Sequence, residues 1–324
     1  MIGTKRTGES SRGDRVSEGD KASKRIPRIG ILSPATESGM QDWWKALKEG
    51  LEQLGYVEGE SIEFVWRFAD GRFERLPELA AELARLEVDI IMPATPPAII
   101  AAQSATKTIP IVFPLGSDPV ETGLVSNLDR PGGNITGMAT MSWQQSRPRM
   151  GLVREIMPAA RNVALIRHSA NAALELQVQE SRAAAADLKI ELLVVEYAIG
   201  EEIERAFKIA AGKKAEALLA LSDPLAFSNA DRIAALSMQY RIPVISPFRE
   251  ITEAGGLLGY GPDLSRLFHR SAPLIHQVLK GAKVGDLPIG HPSDFELSVN
   301  LKAARTLGMT VPGSLLSRAS HVIR

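Results

Sequence analysis

Two doubly wound α/β lobes with parallel sheets, joined by three hinge crossovers, are what this 324-residue sequence predicts. Three observations carry that reading. From residue 29 onward, short apolar runs alternate with amphipathic helical stretches, the pattern of parallel strands linked by helices. The order of elements starts again after Gly137. The tetrapeptides Ile109-Pro110-Ile111-Val112 and Ile242-Pro243-Val244-Ile245 then fall at equivalent places in the two series. A chain of this length also suits two domains of roughly 150 residues.

The first series opens with a buried strand at 29–32. A helix over 42–54 follows, with Trp44, Leu47, Leu51 and Leu54 on one stripe and Gly55 closing it. Residues 62–67 alternate as a strand, and 74–86 form a helix that turns Leu76, Leu79, Leu83 and Leu86 inward. A strand at 88–92 leads to a helix through Ala105, and 109–113 is the next buried strand. Asp118-Pro119 has the residue types of a helix start: the carboxylate caps free N–H groups, and Pro suits the first helical position. The cluster Arg130-Pro131-Gly132-Gly133-Asn134 breaks that helix, and the residues after it form a turn leading to a hinge.

The second series places helices at 143–157, 172–188 and 201–211, and strands at 163–166, 190–195 and 217–221. A helix through Tyr240 and a strand at 242–245 complete it. The last quarter holds a glycine-flanked strand at 255–261, a helix at 262–280, a strand at 295–299 and a helix at 300–307 stopped by Gly308 and Pro312. One more strand and helix for each lobe means that the chain returns to the first lobe and then to the second. Hinge strands are expected near 138–143, 256–262 and 286–294. The lobes are read as 26–140 with 260–289, and 141–259 with 290–324. Residues 1–25 are polar and charged, the composition of a disordered tail.

Composition removes several function classes. The formal net charge is zero, so nothing global points to nucleic acid or an anionic membrane, and no apolar run is long enough for a transmembrane helix. With no Cys there are no disulfides, thiolate metal sites or Cys nucleophiles. The Gly-x-Ser-x-Gly elbow, the Gly-Lys-Ser/Thr phosphate loop and His-Glu-x-x-His are all missing. His168, His269, His276, His291 and His321 follow no metal-ligand spacing. No catalytic residue, metal or cofactor is expected.

What remains is a cleft. Five strand ends carry a small polar residue followed by Pro: Ser33-Pro34, Thr95-Pro96, Asp118-Pro119, Asp223-Pro224 and Ser246-Pro247. Ligands of open parallel sheets bind beyond the carboxyl ends of the strands, where helix N-termini offer N–H groups and a positive dipole end. Any one of these pairs is also an ordinary N-cap; five over two lobes favour a crevice. The N–H groups around Ser33, Thr95 and Ser117, with Thr36 and Pro96 beside them, are expected to take an anion. Asp118 and Asp223 face donors, Phe248 or Tyr260 an apolar part, and His168, Ser169 and Ser246 complete the lining. Trp44 and Trp143 are further stacking candidates, though each aromatic also suits a core.

The stretch Ile109–Gly137, the opening Arg28-Ile29-Gly30-Ile31-Leu32, the run 50–59 and the close 295–323 together resemble the ABC transporter substrate-binding family, whose characterised members include tryptophan- and tyrosine-type binders. The resemblance spans residues 26–324. It implies a type I periplasmic-binding-protein fold, a small-molecule solute held between hinged lobes, a membrane permease as partner and a periplasmic location. It also implies a ligand carboxylate near Thr95 and a ligand amino group near Asp223. Here Asp223 is followed by Pro224, where aromatic amino-acid binders of the family tend to carry Asn. No secretion signal is read in the first residues, so a cytoplasmic sensor of the same fold is the alternative.

Overall fold

A computed structural model describes residues 25–36 and 40–324; residues 1–24 of the expected tail lie outside the described residues. The first sheet holds β1 (Arg28–Ser33), β2 (Glu63–Phe68), β3 (Ile90–Pro93), β4 (Ile111–Gly116) and β5 (Ile135–Ala139), all parallel, in the order β2-β1-β3-β4-β5. Helices α1 (Gln41–Glu52), α2 (Leu76–Arg85) and α3 (Pro96–Ala105) connect its first four strands.

The second sheet holds β6 (Asn162–His168), β7 (Glu191–Tyr197), β8 (Ala217–Ala220), β9 (Val244–Ser246), β10 (Leu258–Gly261), β11 (Glu296–Asn300) and β12 (His321–Ile323), in the order β12-β11-β10-β9-β8-β6-β7. Read from β7, its first five strands repeat the winding of the first sheet. The echoed tetrapeptides straddle the starts of β4 and β9. There the carbonyls of Pro110 and Pro243 accept from Ile91 and Leu218 at 2.8 and 2.9 Å, joining the ladder where a missing N–H is tolerated. Its helices are α4 (Ser146–Ile156), α5 (Glu175–Asp187), α6 (Ile203–Gly212), α7 (Pro224–Ser228), α8 (Ala230–Tyr240) and α9 (Arg249–Ala254). After β10 come α10 (Leu264–Leu279), α11 (Leu301–Leu307) and α12 (Gly313–Arg318).

Helix α10 belongs to the first sheet's side. It buries Leu264, Leu267, Phe268, Ser271, Ala272 and Ile275, a single helical stripe, against α1, β4 and β5. At roughly 1.5–3 kcal/mol per large apolar side chain, that stripe anchors the return of the chain. The polypeptide thus passes between the sheets three times: after β5, after β10 and after α10. The first and third passages run side by side, with Ala139 N donating to Gly290 O at 2.7 Å and Gly290 N to Gly137 O at 2.9 Å. Gly137 stands in β5 ahead of the first passage, and Gly261 at the start of the second. A Cβ on either would lie about 2 Å from the carbonyl oxygen of Phe113 or Pro247, so only glycine fits.

Four features depart from the sequence reading. No helix opens at Asp118-Pro119; residues 118–130 are turn, bends and irregular chain. The stretch read as a turn before the hinge contains β5, paired with β4 across an irregular register between Phe113 and Gly116. The second sheet is not wholly parallel, since β10 and β11 run antiparallel. Helices α9 and α12 and strand β12 are additional, each only three to six residues long and too short for a periodic signal.

Candidate functional site

A cleft lies between the lobes beyond the carboxyl ends of β1, β3 and β4 on one side and of β8 and β9 on the other. In the first sheet this is the switch point, where connections leave β1 and β3 in opposite directions. The first lobe contributes Pro34, Ala35, Met40, Trp43, Thr95, Pro96, Leu115 and Ser117. Ser222, Asp223, Pro224, Phe227, Ser228 and Phe248 come from the second, with Thr140 from the first crossover and Leu264 from the start of α10. The empty volume is about 530 Å³ counted to the open mouth.

The lobes meet across this space. Trp43 of α1 packs on Phe227 of α7 with ring centroids 4.3 Å apart, and Phe227 meets Phe248 edge-on at 5.5 Å. Trp43 Nε1 donates to Glu250 Oε1 at 3.4 Å. Burial pushes the Glu250 carboxyl above its ordinary value. Outside that lining Phe73 packs on His168, centroids 5.5 Å apart.

Thr95 is the N-cap of α3, in extended backbone with φ −152° and ψ 162°. Its hydroxyl caps nothing; the residue is 5% exposed and the oxygen has no partner among the described residues. The expectation that N–H groups cluster here needs correction, because Pro96 and Pro97 fill the first two helical positions and supply none. What α3 offers the cleft is a free hydroxyl at the positive end of a ten-residue helix.

Asp223 is the N-cap of α7 and is 1% exposed. Its Oδ1 accepts from Leu225 N at 2.8 Å and Ala226 N at 3.2 Å. Its Oδ2 accepts from Asn171 Nδ2 at 2.7 Å and lies 3.3 Å from His168 Nδ1, which must carry its proton to face a carboxylate. Burial holds the Tyr197 phenol well above its ordinary value, and the neighbouring Asp223 charge adds to this.

Of the residues singled out from the sequence, Thr95, Pro96, Ser117, Asp223 and Phe248 line the cleft together. Ser246 lies beneath, its hydroxyl bonded to both the N–H and the carbonyl of Phe248, which fixes that ring. Ser33 is buried and occupied with Ala35 N and Met40 Sδ. Thr36 and Ser169 are exposed, and His168 reaches the cleft only through Asp223. Asp118 is buried away from the lining; its carboxylate accepts from Glu121 N and from the indole of Trp143, tying the first crossover to the loop. Tyr260 packs on Phe295 in the second lobe, centroids 6.0 Å apart.

The sequence reading missed Trp43, Phe227, Met40, Leu115 and Leu264 in the lining, and Asn171 behind it. Trp44, one position along α1, points instead to Trp66 and Phe268. Asn171 left a faint signal as the N-cap of a short turn, Ala173 N donating to its Oδ1. Among the described residues no group of three or more His, Cys, Asp or Glu side chains is placed to hold a metal, and no helix is long and apolar enough to cross a membrane.

The family model described as ABC transporter substrate binding protein matches residues 28–323. The chain belongs to this family. Relatives of this substrate-binding protein include the tyrosine-binding protein of Clostridioides difficile (strain R20291), 26% identical over 287 residues, 89% of this chain and 82% of that one. A conserved domain protein from Vibrio cholerae superposes with a TM-score of 0.87 at 26% identity, covering 92% of this chain and all of that one. A Streptococcus pneumonia ABC domain in complex with L-Trp superposes at 0.86 with 24% identity, over 92% of this chain and all of that one. Type I periplasmic binding proteins share the architecture, among them a leucine-binding protein from Thermotoga maritima at 0.61 and 14% identity, covering 81% and 85% of the two chains.

Proposed function

We propose that this substrate-binding protein is the solute-capturing component of an ABC-type importer. In this reading its cleft takes a small solute with an aromatic or apolar body and a carboxylate. The observation that carries the reading is the pairing, within one cleft, of an interlobe aromatic wall with the buried Thr95 hydroxyl at the N-terminus of α3, unpartnered among the described residues. Trp43, Phe227 and Phe248 hold the ring. Thr95 and Ser117 take the carboxylate, helped by the positive helix end. Closure about three passages between the two lobes presents both of them to a membrane permease outside the cytoplasm. Capture involves no chemical step.

Support comes from family membership and from relatives whose names record tyrosine and L-Trp as ligands. The experiment is a thermal-shift screen of aromatic acids and amino acids, followed by calorimetric titration of those that raise the melting temperature. The expected result is saturable binding that Phe227→Ala weakens. A panel in which no aromatic carboxylate or amino acid moves the melting temperature contradicts the proposal.

A further inference from the structure

Among the described residues lining the cleft, Asp223 is the one charged group, and the chain itself occupies it. An ionised carboxylate offers about four lone-pair positions. Leu225 N and Ala226 N take two on Oδ1, and Asn171 Nδ2 and His168 Nδ1 fill Oδ2. His168 is held in place, stacked on Tyr197 at 5.9 Å and covered from the other lobe by Phe73. The remaining polar lining is made of hydroxyls and backbone. An alkylammonium brings three donors and a full charge. Entering here it gives up its water without gaining an open anionic acceptor, an uncompensated desolvation.

We infer that the cleft selects aromatic or apolar acids that lack an α-ammonium group, with Asn171 and His168 excluding amino acids by occupying Asp223. This rests on the cleft being the solute site, and it narrows the solute from carboxylates in general to one class.

The test is calorimetric titration of the full chain with matched pairs: 3-phenylpropionate against L-phenylalanine, and indole-3-propionate against L-tryptophan. The expected result is that each acid binds at least tenfold tighter than its amino-acid partner. An amino acid that binds as well as its partner, or better, overturns the inference and leaves the cleft assignment standing. If neither member of either pair binds, the cleft assignment fails and the inference with it. Asn171→Ala opens one position on Oδ2 and narrows the acid-to-amino-acid ratio severalfold. If that variant does not fold, His168→Phe keeps the stack, removes Nδ1 and serves the same purpose. A folded variant with an unchanged ratio removes the cluster from the account.

Discussion

Thr95 and Asp223 occupy matching places in the two lobes, each an N-cap followed by Pro after the strand that flanks the opening strand of its sheet. Both face the same cleft. Their states are opposite. Among the described residues the Thr95 hydroxyl is buried without a partner, whereas the Asp223 carboxylate is filled by two backbone and two side-chain donors. A buried polar atom left unsatisfied costs folding free energy that a ligand can return on binding; a saturated one stabilises its own lobe and has nothing left to give. The same pair of residue types therefore serves recognition in one lobe and architecture in the other.

Removing the contact that brings the two ends together should have the largest effect. Trp43→Ala deletes a buried ring between Phe227 and Phe268 and is expected to cost about 3–5 kcal/mol in urea unfolding. Asp223→Ala comes next, losing a cap worth about 1 kcal/mol and stranding the Asn171 and His168 donors for about 1–3 kcal/mol more. A loss comparable to an exposed substitution would show that the carboxylate is not structural.

A smaller effect appears as pH dependence. Burial raises the Glu250 carboxyl, so the folded chain holds that proton more tightly than the unfolded chain. The resulting stability is fully present below the ordinary carboxyl value and is lost as pH rises through the raised one. Glu250→Gln should flatten that decline in melting temperatures taken across the acid range, while an unchanged slope assigns it elsewhere. Smallest of all is Thr95→Val, which removes an unpartnered hydroxyl and should leave the melting temperature unchanged or slightly raised.

Much of the architecture was legible because it rests on period and punctuation. The helix read at 262–280, the restart after Gly137 and the paired Ile-Pro tetrapeptides all have counterparts in the structure. The reading failed where a distant partner decides local structure. Asp118-Pro119 has helix-start chemistry, yet its carboxylate is drawn to the Trp143 indole, 25 positions away. The sequence placed Asp223 at the cleft, but its occupancy depends on Asn171 and His168, 52 and 55 residues earlier on the chain. Which of two adjacent tryptophans faces the cleft depended on the rotation of α1, since neighbouring helical positions point about 100° apart.

The most direct test of this division of labour is calorimetric titration of wild type and Thr95→Val with 3-phenylpropionate. The account predicts saturable binding by the wild type and about tenfold weaker binding by the variant, the value of a hydrogen bond to a charged group, with both chains melting alike. Equal affinities would mean that the free hydroxyl of α3 does not hold the solute, contradicting the central claim.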